Sequence, residues 1–277
     1  MTSIAHIVNP FYNPKRQDLE DVQPLVCESM LRAQDFAKND VTVELYATVY
    51  KEDENAIPKG FLRAPGLTRS IINVRPLQKP KKLPLIYDII DNLFQVTTAD
   101  YLIYTNMDII LMPHFYSVVH DYIHSGYDGI IINRREVNPT EVNPLDTLAK
   151  IWSSIGVPGA GYDCFVFSRK QYAAFYKDTC CIGIASVDTG LAANIMKNAR
   201  QFLFLPFEHI TCHIGNDRQW TEEEFDELTR HNLWEFSKIW PLHKKRLVEQ
   251  FGSTHPMIKR MSSMSSYEFP TFISDYR

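Results

Sequence analysis

Glycine is scarce in this chain: 11 of 277 residues, and none before Gly60. A glycine-rich loop cradling a phosphate just after the first strand is therefore excluded. Positive charge is not in excess either, since 29 Lys and Arg face 33 Asp and Glu for a formal net charge of −4. That balance excludes the broad basic footprint of a non-specific nucleic-acid binder, and no nucleic-acid partner is expected. Long apolar runs are missing, for none approaches the roughly 18–20 residues that cross a bilayer. No integral membrane segment is expected, and any membrane contact would be peripheral. Residues 1–6 carry no basic stretch leading into an apolar core and cleavage site. The five cysteines lack zinc-type spacing, and Cys180 and Cys181 are adjacent. A disulfide framework is disfavoured, so a reducing, cytoplasmic setting is expected. With 45% hydrophobic and 22% charged residues, the rest is ordinary globular usage.

Strand-like and helix-like segments alternate through the first half. Ile4 to Val8 is short and apolar, and the turn-rich Asn9-Pro10-Phe11-Tyr12-Asn13-Pro14 stops it. Leu19, Val22, Leu25, Val26, Met30, Leu31 and Phe36 recur at helical spacing and predict a helix over 19–38. A strand is expected over 41–50, a short one over 70–74, and a helix over 83–95 with Pro84 in its first turn. The apolar runs 101–104 and 109–112, a helix over 114–124 and a strand over 129–133 continue the alternation. The pattern predicts an α/β sheet with a substantial parallel portion. Residues 134–161 read as a loop, 164–168 and 201–205 as strands, and 169–178 and 188–200 as helices. Thr221 and Glu224 fit a capping box at a helix start, with Trp220 stapling onto Phe225. From Gly252 onward Ser and Met dominate, and a loosely held tail is expected. One continuous domain over 1–220, with a helical extension and flexible tail over 221–277, is the simplest division.

The chemically informative stretch is Tyr104-Thr105-Asn106-Met107-Asp108-Ile109. It sets Asn106 and Asp108 at the carboxyl end of an apolar strand, where open α/β sheets meet their ligands. A carboxylate there suits a hard divalent cation, or it merely closes a turn. Asp188, in Ser186-Val187-Asp188-Thr189-Gly190, opens a helix and is either a site residue or a cap. His213 follows an apolar strand and is either a metal ligand or a histidine satisfied within the fold; pairing with His209 around zinc is the weaker alternative. The Lys79-Pro80-Lys81-Lys82 cluster fits a phosphate or, more simply, a solvated loop.

Thr105-Asn106-Met107-Asp108-Ile109 resembles the Asp-x-Asp region of the GT-A glycosyltransferases, and Asp188 and His213 follow in the family's order. The resemblance implies a Rossmann-like, mainly parallel mixed sheet flanked by helices. It further implies a nucleotide-sugar donor, UDP- or GDP-linked, and a saccharide or other hydroxyl-bearing acceptor. Manganese or magnesium is implied on Asp108 and His213, bridging the donor diphosphate. Asn106 stands where the family more often has Asp, so a direct metal role for it does not carry over. Asn9, Pro10 and Phe11 take the place of the nucleotide-base contacts, with Tyr50 and Glu52 as weaker candidates. Gly161 and Asp163 match a stretch beside donor sugar and acceptor, and Asp188 matches the catalytic base of inverting members or the acceptor-binding group of many retaining ones. Two alternatives are a sugar-phosphate nucleotidyltransferase, disfavoured by the missing glycine loop, and a non-catalytic binding protein on the same fold. Donor sugar, stereochemical course and assembly into a homo-oligomer are left open.

Overall fold

The computed structural model describes residues 2–13, 17–137, 148–159, 161–214 and 223–265. Its first strand, β1 (Ser3–Val8), is followed by α1 (Gln17–Ala37), β2 (Thr42–Ala47), β3 (Leu62–Arg63), α2 (Ile86–Val96) and β4 (Tyr101–Thr105). Then come β5 (Ile109–Leu111), α3 (Phe115–His124), β6 (Gly129–Ile132) and β7 (Arg135–Val137). The second half supplies α4 (Leu148–Ser153), β8 (Val157–Pro158), β9 (Cys164–Ser168), α5 (Arg169–Tyr172) and α6 (Val187–Asn198). It ends with β10 (Phe202–Leu205), β11 (Thr211–Ile214), α7 (Asp226–Phe251) and α8 (Pro256–Ser265).

Seven strands form one sheet in the order β10-β6-β9-β4-β1-β2-β3. Every neighbouring pair is parallel except those made by β9, which runs against both β4 and β6. The expected mixed, mainly parallel sheet is what the chain builds. A smaller sheet, β5-β11-β7-β8, lies beyond the carboxyl end of β4. Alternation along β1 separates two cores: Ile4 and Val8 pack with Val26 and Met30 of α1 and Phe115 of α3. Ala5 and Ile7 pack instead with Ile90 of α2, Leu191 and Ile195 of α6, and Phe236 and Trp240 of α7. Helices thus cover both faces, as a sheet with near-continuously apolar central strands requires.

Several local expectations need correction. Residues 70–74 form a 3-10 turn over Ile71–Asn73, because Ser70 and Asn73 cap each other reciprocally. Pro84 lies outside α2: Ile182 N–H donates to its carbonyl and Leu85 bridges Cys181, holding the backbone extended until Ile86. The helix expected over 169–178 stops at Tyr172, and the Asn194 side chain holds the Tyr176 backbone from both sides. The loop expected over 134–161 contains β7, α4 and β8. The looseness expected from Gly252 does not hold for α8, whose Met257, Ile258 and Met261 are buried in the core shared with α6 and α7. Of the expected capping box and staple, Thr221 and Trp220 lie outside the described residues. Glu224 is turned to Lys81.

His6, on the α1–α3 face of β1, is buried between the Tyr116 hydroxyl at 2.8 Å and Thr105 Oγ1 at 2.9 Å. Burial pushes its pKa down from 6.5 to about 3. The unfolded chain takes up this proton near pH 6.5 and the folded chain only near 3. The His6 contribution is therefore intact above about pH 6.5 and is lost progressively, by about 1.4 kcal/mol per pH unit, as pH falls towards 3. His6→Gln is expected to flatten the acid limb of a pH series of urea unfolding curves; an unchanged limb would refute this assignment.

Candidate active site

Strand register assembles the site. Cys164, which opens β9, pairs with Thr105 at the end of β4 and with Ile132 at the end of β6. Asp163 and Asn106, the next residues along, and Arg134, two positions past Ile132, meet at one edge of the sheet. Asn106 Nδ2 donates to Asp163 Oδ1 at 2.9 Å, and its Oδ1 accepts from the Tyr104 hydroxyl at 2.8 Å. Arg134 pairs with Asp163 on one side and donates through Nε to Glu136 at 2.7 Å on the other. A Cβ on Gly161 would stand 2.6 Å from Arg134 Nη1, so only glycine leaves room for that ion pair.

The small sheet supplies the second half. In β11, His213 is in register with Ile109 of β5 and Glu136 of β7. The ring consequently sits between two carboxylates, with Nδ1 2.6 Å from Glu136 Oε2 and Nε2 3.4 Å from Asp108 Oδ2. Burial favours the neutral ring, but Asp108 and Glu136 outweigh it and raise the pKa to about 10. Burial likewise opposes ionisation of Asp108 and Glu136, yet His213 and Arg134 hold both carboxyls below their ordinary values. Asp163 goes the other way. Its burial, aided by Asp108, outweighs the attraction of Arg134 and raises its pKa, although the same pair raises that of Arg134. The side chain of Asp108 is one-third exposed, but its Oδ1 is sealed from solvent without a hydrogen-bond partner among the described residues. A buried carboxylate oxygen without a partner is costly.

Asp188 stands in the first turn of α6, after Ser186 in the left-handed region at φ 69°. Ser186 makes no capping bond. The Asp188 carboxylate does not bond the backbone amides of its own helix: Oδ2 accepts from the Tyr162 N–H at 3.3 Å and from Arg260 of α8 at 2.9 Å, and Oδ1 accepts from the Thr189 hydroxyl at 3.1 Å. Through Tyr162 it adjoins Asp163. Asn9, Pro10 and Phe11 lie at the carboxyl end of β1, beside β4. The chain turns back across the sheet there, from β2 on one side of β1 to β4 on the other, which is the switch point where such sheets bind ligands. Asn9 Nδ2 donates to the Thr48 carbonyl at 2.7 Å, and Gln23 clamps both backbone groups of Phe11 at 3.0 and 2.8 Å.

Three residues of the cluster escaped the sequence reading. Arg134 and Glu136 were detectable as charges directly after the apolar strand at 129–133. Arg260, in an unremarkable Ser/Met-rich stretch, left no such signal. His209 lies in a turn before β11 rather than one helical turn from His213. Among the described residues no group of three or more His, Cys, Asp or Glu side chains is arranged to hold a metal ion. Lys81 and Lys82 are engaged by Glu224 and Glu52 and lie 3.9 and 4.0 Å from the Phe225 and Tyr50 ring centres. The cluster lies in a largely exposed loop, as the solvated-loop reading expects, with Lys81 and Lys82 paired there, and Tyr50 and Glu52 are occupied by Lys82.

Removing one partner of the Arg134–Asp163 pair strands the other charge below the surface. Arg134→Met is expected to cost about 3–5 kcal/mol in denaturant unfolding. A loss below about 1 kcal/mol, typical of an exposed pair, would show that water screens it.

The mainly parallel seven-stranded sheet, with β9 antiparallel within it and helices on both faces, is a GT-A-like fold. The chain is similar over 92% of its length to 74% of S. aureus TarS 1–349 in complex with UDP-GlcNAc, with a TM-score of 0.51 and 12% identity. For the same protein in complex with UDP the coverage is again 92% and 74%, with a TM-score of 0.47 and 14% identity. A Bacillus anthracis glucose-1-phosphate thymidylyltransferase, described as putative and in complex with a sucrose, gives 0.45 and 7% identity over 83% of this chain and 94% of that one. No protein-family model and no curated protein matches the sequence.

Proposed function

We propose that this chain is a metal-dependent glycosyltransferase that moves a sugar from a nucleoside-diphosphate sugar, UDP- or GDP-linked, to an acceptor hydroxyl. The observation that carries the reading is the pairing of Asp108, with its sealed and unpartnered Oδ1, with His213 at the end of β4. That donor set fits manganese or magnesium: a carboxylate oxygen, and an imidazole whose Nδ1 is oriented by Glu136 so that Nε2 faces Asp108. Two protein donors leave the remaining positions to diphosphate oxygens and water. When bound, the metal supplies neutralisation of the charge that develops on the departing diphosphate.

The protein side chains do the rest. Without metal, protonated His213 bridges the two carboxylates; to act as a ligand it gives up that proton. Asn106, its amide committed to Tyr104 and Asp163, positions Asp163 and does not reach for the metal. Asp163 and Gly161 flank the donor sugar, and Asn9, Pro10 and Phe11 border the nucleotide. Asp188 takes the proton from the attacking hydroxyl if configuration inverts, or orients the acceptor if it is retained. The complex of TarS with UDP-GlcNAc supports a nucleotide-sugar donor on this fold.

The nucleotidyltransferase reading loses ground at the end of β1. Pro10 has no N–H, and the amides of Phe11 and Tyr12 are already taken by Gln23 and Asp53, so these three residues offer no backbone donor to cradle a phosphate. The five cysteines are buried free thiols, which supports a reducing, cytoplasmic setting. No helix among the described residues is long and apolar enough to cross a membrane.

The decisive experiment is a binding screen of nucleoside diphosphates with and without manganese, followed by hydrolysis of a panel of nucleotide sugars. Manganese-dependent binding of UDP or GDP and turnover of the matching donor are expected. No metal-dependent binding to any nucleotide would overturn the reading in favour of a non-catalytic binding protein.

A further inference from the structure

The ten-residue helix α8 reaches the candidate site. Met257, Ile258 and Met261 anchor it among Leu191 of α6 and Phe236 and Trp240 of α7. Between the anchors Arg260 projects to Asp188, donating to Oδ2 at 2.9 Å with its guanidinium 4.6 Å from the centre of the Tyr162 ring. The backbone N–H of that same Tyr162 donates to the same carboxylate oxygen. One turn further on, Met264 Sδ lies 3.3 Å from the Thr189 hydroxyl, whose single proton has Asp188 Oδ1 at 3.1 Å as its other acceptor. Among the described residues, each hydrogen bond of the Asp188 carboxylate is therefore made by α8 or by a residue that α8 touches.

We propose that Arg260 is the positioning residue of Asp188 and that α8 completes the acceptor side of the site. This rests on the reading of Asp188 given above. Against an apolar pair of the same shape the ion pair adds little net stability, and three buried side chains already hold the helix, although removing Arg260 alone leaves the Asp188 carboxylate uncompensated. The pair does fix a carboxylate. Arg260 and the Tyr162 N–H together direct Oδ2, leaving Oδ1 with one local hydroxyl and lone-pair capacity for an acceptor. The charged groups facing Asp188 are Arg260 from α8 and Asp163 beside Tyr162.

The test is steady-state hydrolysis of the best nucleotide sugar of the panel, with manganese–UDP or manganese–GDP binding measured alongside. Arg260→Met is expected to lower kcat by at least about tenfold, with donor KM and nucleotide affinity within about twofold. Arg260→Lys keeps the charge but loses the planar fork, and recovers part of the kcat. In an Asp188→Asn background, Arg260→Met is expected to add less than about a twofold loss, because it acts through the missing carboxylate. Equal losses in both backgrounds, unchanged kcat in a folded Arg260→Met protein, or a loss confined to donor affinity would each overturn the proposal. Should Arg260→Met fail to fold, Arg260→Gln, which keeps a donor, carries the same expectation. A wild-type chain inert towards every donor, or an unimpaired Asp188→Asn, refutes the underlying reading and the proposal with it; an impaired Asp188→Asn beside an unimpaired Arg260→Met refutes the proposal alone.

Discussion

Asp108→Ala abolishes manganese-dependent binding of a nucleoside diphosphate while the chain stays folded: this is the largest effect expected in the protein. Removing a partner that only orients a metal ligand typically costs about 10–100-fold in metal affinity, and losing the ligand itself should exceed that range. Glu136→Gln, which meets His213 at its far nitrogen and also accepts from Arg134, falls inside the range. His213→Ala is intermediate, because Asp108, the diphosphate and water still fill most of the shell. Isothermal titration of UDP or GDP with and without manganese ranks the three variants. Unchanged manganese-dependent affinity in Asp108→Ala would remove the metal from this edge of the sheet altogether.

Asp188→Asn separates three roles for one side chain. If the carboxylate is the base, transfer falls by roughly 100-fold or more while donor affinity barely moves. If it orients the acceptor, the loss appears mainly in acceptor KM. A helix cap would survive the change, since Asn caps nearly as well as Asp. The contacts already weigh against capping, for the carboxylate reaches Tyr162, Thr189 and Arg260 and not the amide groups of α6. Full activity with the correct donor and acceptor would exclude Asp188 from the chemistry.

Most of the fold was legible because its signals are local. The apolar runs at 101–104 and 129–133 and the helical spacing of Val22, Val26 and Met30 each lie within one element, and each element formed where its pattern stood. The misplacements share a different cause. Pro84 and Leu85 are drawn into extended pairing by residues 180–182, nearly a hundred positions away, and the Asn194 side chain holds the Tyr176 backbone where a helix was expected. Propensity has no access to partners that distant, and tertiary context overrides it.

The same division runs through the candidate site. Asp108 was visible as a polar residue after an apolar strand, whereas Asp163 was singled out by the family resemblance and Asp188 by a helix start together with the family's order of motifs. His213 was visible as a histidine after an apolar strand, but its charge state was not, because it depends on Glu136 across β7 and Asp108 before β5. Gly161 was singled out for closeness to a ligand, and the space it leaves belongs to Arg134. By itself the sequence determined the alternating α/β architecture, the acidic residues at strand ends and the absence of a glycine phosphate loop, since these follow from the order of neighbouring residues. Only the tertiary structure decided which charges meet. The register of β9 between β4 and β6, of β11 between β5 and β7, and the return of α8 onto α6 join residues dozens of positions apart, and charge pairing is a property of distance in space rather than along the chain.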